Sequence, residues 1–187
     1  VHLCQTLFRG AAEDRPLLPW LQEVIWPLEA AHDPDTLRAS ARLSCAELIR
    51  CGTTAMASFE TVRHTDAVLA AAAEMGMQGL IGHCLMDETG GYDPLCVDLD
   101  EALGLCDDWR DARPADSALD LALAPRFALS CSDRNMREAV AFARDRGLRL
   151  HTHAAEQVPE VEWILERTGM RNIEYLDRVG LVGDDTL

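Results

Sequence analysis

The chain has 187 residues, 48% hydrophobic and 26% charged, which is enough apolar material to bury a sizeable core and too much for a disordered or fibrous segment. Its 17 basic residues, all arginine, face 32 acidic ones for a net charge of -15; this balance repels phosphate backbones and anionic membranes, so no nucleic-acid or membrane partner is expected, while a neutral or cationic small substrate is not disfavoured. No apolar run approaches the ~20 residues of a membrane span, and no signal-peptide pattern opens the chain.

Along the chain, helices alternate with short apolar strands. Val1-His2-Leu3 has the form of a strand's end and Asp184-Asp185-Thr186-Leu187 that of a lead into another, so the chain reads as an interior piece of a longer protein. Asp33-Pro34 is a helix start, and Leu37, Ala41, Ala46, Leu48 and Ile49 form one apolar face up to Gly52. Thr53 to Phe59 is strand-like. A helix over Thr65 to Met75 closes at Gly76, and Gly79 to Met86 is a buried strand. Gly90-Gly91-Tyr92-Asp93-Pro94 is a loop. Asp98 to Asp111 forms a helix with a solvated acidic face, Leu119 to Pro125 a strand, and Ser132 caps a helix over Asp133 to Arg146 that ends at Gly147. Leu148 to His153 is a strand running into polar residues, followed by helices over Pro159 to Thr168 and Asn172 to Val179.

Strands alternating with helices, without hairpin signals, predict a parallel α/β sheet of right-handed strand-helix-strand units. About five such units fit, with a sixth strand beginning at Leu187. A doubly wound open sheet and an eight-stranded barrel both satisfy that count. Neither G-x-G-x-x-G nor G-x-x-x-x-G-K-[ST] occurs, so the nucleotide-phosphate version of the open sheet loses its main support. In a barrel, reactive side chains sit where strands end, and His2, His83, Arg126 and His153 all fall at or near such ends. The 7 cysteines, odd in number and without a C-x-x-C pair, predict reduced core thiols in a cytoplasmic protein.

The sharpest chemical signal is His151-Thr152-His153-Ala154-Ala155-Glu156. Alternate strand residues share a face, so His151 and His153 point the same way, and Glu156 lies where the chain leaves the strand. A neutral imidazole followed by a carboxylate suits a metal ligand beside a proton shuttle. A strand-end histidine satisfied by a backbone hydrogen bond, with Glu156 near the positive end of the next helix, fits the same residues.

His2-Leu3-Cys4-Gln5-Thr6-Leu7-Phe8-Arg9-Gly10, Trp20-Leu21, Ile25-Trp26-Pro27-Leu28-Glu29-Ala30, Ala46-Glu47-Leu48-Ile49, Gly52-Thr53-Thr54 and His151-x-His153-x-x-Glu156 together resemble the amidohydrolase superfamily over essentially the whole chain. The nearest look-alikes are the methylthioadenosine/S-adenosylhomocysteine and 5'-deoxyadenosine deaminases, with guanine deaminases and triazine chlorohydrolases beside them. The resemblance implies a (β/α)8 barrel of which this chain supplies about the first five units, so that residues 1–187 form a partial metal-dependent hydrolase barrel domain. It implies one divalent metal, zinc first and iron or another transition metal otherwise, with His2 and His153 as two of four expected ligands. The others fall just before Val1 and beyond Leu187. Glu156 matches the proton-shuttling glutamate.

The same resemblance makes Glu29 an acceptor for ribose hydroxyls, and Arg126 with Phe127 a base-binding pair as in guanine deaminases. A guanidinium suits carbonyl and ring-nitrogen acceptors. Trp20 and Trp26 are expected to pack helices over the barrel mouth, with a wall for the base as a second reading of Trp20. His83 stands where the nucleoside deaminases place an arginine, and no second arginine follows in the loop before Arg110; both departures argue against a carboxylate-bearing substrate such as S-adenosylhomocysteine. The leading expectation is a metal-dependent hydrolytic deaminase of a purine nucleoside or base, acting on a small heterocycle, with a homo-oligomer left open. A guanine deaminase or triazine-type chloro- or aminohydrolase is the alternative within the superfamily, and an inactive truncated fragment the alternative outside it.

Overall fold

Four strands, β1 (Met56–Phe59), β2 (Gly79–Leu85), β3 (Leu119–Pro125) and β4 (Arg149–Leu150), pair in parallel and in chain order. They belong to a computed structural model that describes residues 1–90 and 92–187; Gly91, within the predicted loop, lies outside the described residues. The parallel pattern continues at both edges. Val1 donates its terminal amine to Ala57 O (3.1 Å) and accepts the Phe59 N–H (2.8 Å) on the free side of β1, and Leu150 bridges Thr186 beyond β4. A doubly wound sheet reverses its order at a switch point. Strand positions that follow one another in one direction form the wall of a barrel.

The helices are α1 (Leu17–Trp20) and α2 (Trp26–Ala30), joined by a π-helical turn over Leu21–Ile25, then α3 (Pro34–Arg50), α4 (Thr65–Glu74), α5 (Leu99–Ala112), α6 (Asp133–Arg146), α7 (Val158–Thr168) and α8 (Asn172–Arg178). Local chemistry sets their ends. Asp33 Oδ1 accepts the Thr36 N–H at 2.8 Å with Pro34 opening α3, and Ser132 Oγ accepts the Asn135 N–H at 3.2 Å to start α6. Ser132 also donates to Asp87 Oδ2 at 2.6 Å, which ties the loop after β2 to the head of α6. The first strand begins at Met56 rather than Thr53, because Thr53 donates back to Leu48 O (2.9 Å) and finishes the end of α3.

The ladder of β4 stops at Leu150, although His151 and His153 still donate to Leu123 O (3.0 Å) and Arg126 O (3.1 Å). The reason is Pro125, which has no N–H to return to the neighbouring strand. Two glycines let β1 close on β2: a Cβ at Gly79 would lie 1.9 Å from Met56 O, at a φ of +125°, and one at Gly82 would lie 2.6 Å from Ser58 O. Leu37, Val68, Ile81, Leu85, Met136 and Leu150 are fully buried between strands and helices. All seven cysteines are free thiols, five of them buried. Among the described residues no helix is long and apolar enough to cross a membrane.

Candidate active site

His2 and His153 come from strand positions at opposite ends of the chain and meet at the rim where the strands end. Their Nε2 atoms are 3.2 Å apart, and the rings stack with centroids 5.1 Å apart and planes 5° from parallel. Phe59, from the end of β1, lies beneath both, with its centroid 5.5 Å from His2 and 4.2 Å from His153. His153 Nδ1 faces Arg126 O at 2.9 Å. A carbonyl can only accept, so Nδ1 carries the proton and Nε2 keeps its lone pair, the arrangement that orients a ligating imidazole. Burial, then the His153 and Arg126 charges, push His2 down to about 3; burial also lowers His153. Both rings are therefore neutral near pH 7, as metal ligation requires.

Two nitrogens bound to one zinc at about 2.0–2.1 Å in tetrahedral geometry lie ~3.3 Å apart, and the observed 3.2 Å fits that separation. The buried Nδ1 of His2 has no hydrogen-bond partner. Among the described residues no group of three or more His, Cys, Asp and Glu side chains gathers around one point, so this chain offers two nitrogen donors toward the three or four that zinc takes from protein.

The segment after His2 is pinned from several sides. Glu60, 1% exposed, accepts the Leu3 and Cys4 N–H groups at 3.3 and 3.0 Å, Ser40 Oγ donates to Leu3 O at 2.7 Å, and His32 Nε2 lies 2.8 Å from Cys4 O. Burial pushes Glu60 up to about 7, against the hydrogen bonds it accepts. Glu156 lines a cavity of about 100 Å³ together with His2, Gln5, Trp20, Arg126, Phe127 and His153 among others. Burial, and then the neighbouring Glu160, raise the Glu156 carboxyl, in the direction that suits a group holding a proton for transfer. A larger groove of about 470 Å³ shares His2, Gln5 and Trp20 with this cavity.

Two expected substrate contacts take different places. Glu29 does not line the cavity: it is 3% exposed and paired with Arg126, itself 3% exposed, through Nη1–Oε2 at 2.6 Å and Nη2–Oε1 at 3.0 Å, while Gln5 Nε2 donates to Oε1 at 2.8 Å. Burial alone would raise the Glu29 carboxyl, but the Arg126 charge and these hydrogen bonds outweigh it and hold the group low. His83 is not on the rim. It shares strand parity with Ile81 and Leu85 and points outward between α4 and α5, with Nδ1 2.7 Å from Thr65 Oγ1 and neighbours Leu105, Cys106 and Trp109. Small residues at the alternate positions, Gly82 and Cys84, face the other way. The case against a carboxylate-bearing substrate therefore loses its support from His83. Glu60 and Glu160 carry no local sequence signal; Gln5 stands within the His2 to Gly10 motif and follows His2 by one helical turn.

Parallel strands in barrel order bring two converging imidazoles and a carboxylate to one rim of the wall. The chain belongs to the amidohydrolase family, whose profile matches residues 1–187. It is 35% identical to a 5'-deoxyadenosine deaminase of Methanopyrus kandleri, covering 100% of this chain and 42% of the relative, and 38% identical to a 5-methylthioadenosine/S-adenosylhomocysteine deaminase of Halobacterium salinarum, covering 98% and 42%. Among solved structures, an adenosine deaminase from Xanthomonas campestris with bound zinc superposes with a TM-score of 0.86 at 31% identity, over 99% of this chain and 41% of that one. A guanine deaminase from C. acetobutylicum with bound guanine superposes at 0.90 and 24% identity, over 99% and 46%, which speaks for the fold alone. The chain thus spans about two-fifths of the length of the curated relatives it matches.

Proposed function

We propose that this chain carries part of the active site of a metal-dependent hydrolytic deaminase acting on a purine nucleoside of the 5'-deoxyadenosine or methylthioadenosine type. The observation that carries the reading is the convergence of His2 Nε2 and His153 Nε2 at 3.2 Å beside a cavity that also holds Glu156. It is supported by the deaminase names of relatives at 35% and 38% identity. His2 and His153 would hold a divalent metal, zinc by analogy with the Xanthomonas enzyme, which when bound acts as a Lewis acid toward water and lowers its pKa.

This chain's residues supply the rest. The Arg126 carbonyl fixes the His153 ring and its tautomer. Phe127 and Trp20 line the cavity, where they would face a flat heterocycle. Glu156, with its raised proton affinity, takes a proton from the attacking water, passes one to a ring nitrogen and helps ammonia leave from the amine-bearing carbon. One observation favours a second reading. Glu29 is engaged by Arg126 and Gln5 rather than open to a ribose, which removes the contact expected to select a nucleoside over a free base such as guanine; Arg126 is held in the same pair, so the contact with a base falls to Phe127.

The deciding experiment measures ammonia release by the intact enzyme from 5'-deoxyadenosine, methylthioadenosine, S-adenosylhomocysteine and guanine. The proposal expects kcat/KM for one of the nucleosides to exceed that for guanine by at least tenfold. Guanine as best substrate transfers the assignment to the second reading, and no deamination of any of the four rejects both.

A further inference from the structure

The proposed chemistry does not use the buried carboxylate of Glu160 at the rim. Glu160, in the first turn of α7, is 0% exposed. Its Oε2 accepts the Glu156 N–H at 2.8 Å, and its Oε1 accepts the Ala155 N–H at 3.2 Å and an amide hydrogen of Asn172 Nδ2 at 2.7 Å. Asn172 opens α8, so one carboxylate joins the loop after His153 to two helices.

The loop it holds is not one the chain adopts freely. Ala155 has a φ of +57°, in the left-handed region where the Cβ of a non-glycine residue crowds the backbone. After that turn Glu156 lines the same cavity as His2 and His153. A first-turn glutamate ordinarily reaches back to the amide of its own cap residue, here Gln157. Glu160 instead reaches past it, to the two amides that define the turn. All three donors require an acceptor, which both oxygens of a carboxylate provide and the NH2 end of a glutamine does not. The other side of the rim has the same device: Glu60 accepts the two consecutive amides that follow His2.

We propose that Glu160 is a positioning residue whose carboxylate locks the left-handed turn at Ala155 and so keeps the Glu156 side chain at the reacting centre; the inference rests on Glu156 as the proton carrier. The Glu160 charge also adds to the proton affinity of Glu156, second to burial and opposed by Arg126.

The test compares Glu156→Gln, Glu160→Gln and Glu160→Gln with Ala155→Gly in the intact enzyme, on the best substrate of the panel above. Glu160→Gln should lower kcat at least tenfold, with KM within threefold and metal content unchanged. Hydrogen exchange of the peptide containing Ala155 and Glu156 should become at least tenfold faster, a readout independent of turnover. Adding Ala155→Gly should restore kcat several-fold, because glycine takes a positive φ without the Cβ penalty. If Glu160→Gln does not fold, Asn172→Ala, which removes one donor to the same carboxylate, should move kcat and exchange in the same directions by two- to fivefold, and no change in either overturns the proposal. A Glu160→Gln enzyme with normal kcat beside an inactive Glu156→Gln enzyme also overturns it. So does a joint loss of metal content and thermal stability with a raised KM and no recovery from Ala155→Gly, since that marks a plain structural anchor. Normal turnover in Glu156→Gln defeats the proton-carrier reading itself and is distinguishable from both.

Discussion

Replacing Glu29 by alanine leaves the Arg126 guanidinium buried without a counter-charge. The pair is bidentate, at 2.6 and 3.0 Å, with side-chain exposures of 4% for Arg126 and 0% for Glu29, so solvent does little to screen it. Breaking a buried pair by removing one partner costs about 3–5 kcal/mol, and the Gln5 amide loses its acceptor as well, for about 1–3 kcal/mol more if nothing replaces it. Removing both charges with Glu29→Gln and Arg126→Met should instead fall within ~2 kcal/mol of wild type, because the desolvation cost disappears with the attraction. Denaturation midpoints of the intact protein test this through a double-mutant cycle. The pair also has a pH signature. The folded Glu29 pKa lies below its unfolded value of 4.5, so its contribution is fully present above about that pH and is lost as pH falls through the folded pKa. Glu29→Gln should remove this acid-side loss. Turnover separates the two roles of Glu29: as the anchor of Arg126, Glu29→Ala lowers kcat/KM for nucleosides and guanine alike. A variant that keeps wild-type stability and loses ~10- to 150-fold on nucleosides alone, the scale of 1.5–3 kcal/mol for a hydrogen bond to a charged group, would refute the anchoring argument and restore the ribose contact.

Two further outcomes follow from single residues. Glu60 is fully buried with its pKa raised from 4.5 to about 7, so the folded state holds a proton that the unfolded state has lost. Stability should therefore fall as pH rises between these values, by about 3 kcal/mol from this group; Glu60→Gln should flatten that slope in urea titrations at pH 4.5 and 7.5, and an unchanged slope would show that Glu60 titrates normally. Gly79→Ala sets a Cβ 1.9 Å from Met56 O at a φ of +125° and should cost more than ~2 kcal/mol, read as a lowered melting temperature, whereas Gly104→Ala, with open space around it, should leave stability unchanged or raise it.

Secondary structure was largely legible along the chain because its causes are local. The cap at Asp33 and the start and stop of α6 at Ser132 and Gly147 act within one or two helical turns. The pairing of His153 with Glu156 was visible for the same reason. The sequence by itself also determined the alternation of strands and helices, and with it a parallel sheet. That alternation alone left open whether the sheet is a wall or a doubly wound layer, since the choice depends on strand order and order is settled by pairings between distant segments; the barrel was implied only by the resemblance to the amidohydrolases. The same holds inside the site. His2 and His153 are 151 positions apart and Glu29 and Arg126 are 97 apart, so no local window contains either contact. His83 was misplaced because a strand-end position was considered without its parity: Gly82 and Cys84 leave space on the inner face, while Ile81 and Leu85 carry His83 outward to α4 and α5. Only the folded chain decided that Glu29 faces Arg126, and that Glu60 and Glu160 each hold two amides, because backbone donors have no side-chain identity and leave no trace in the sequence until the tertiary structure brings an acceptor to them.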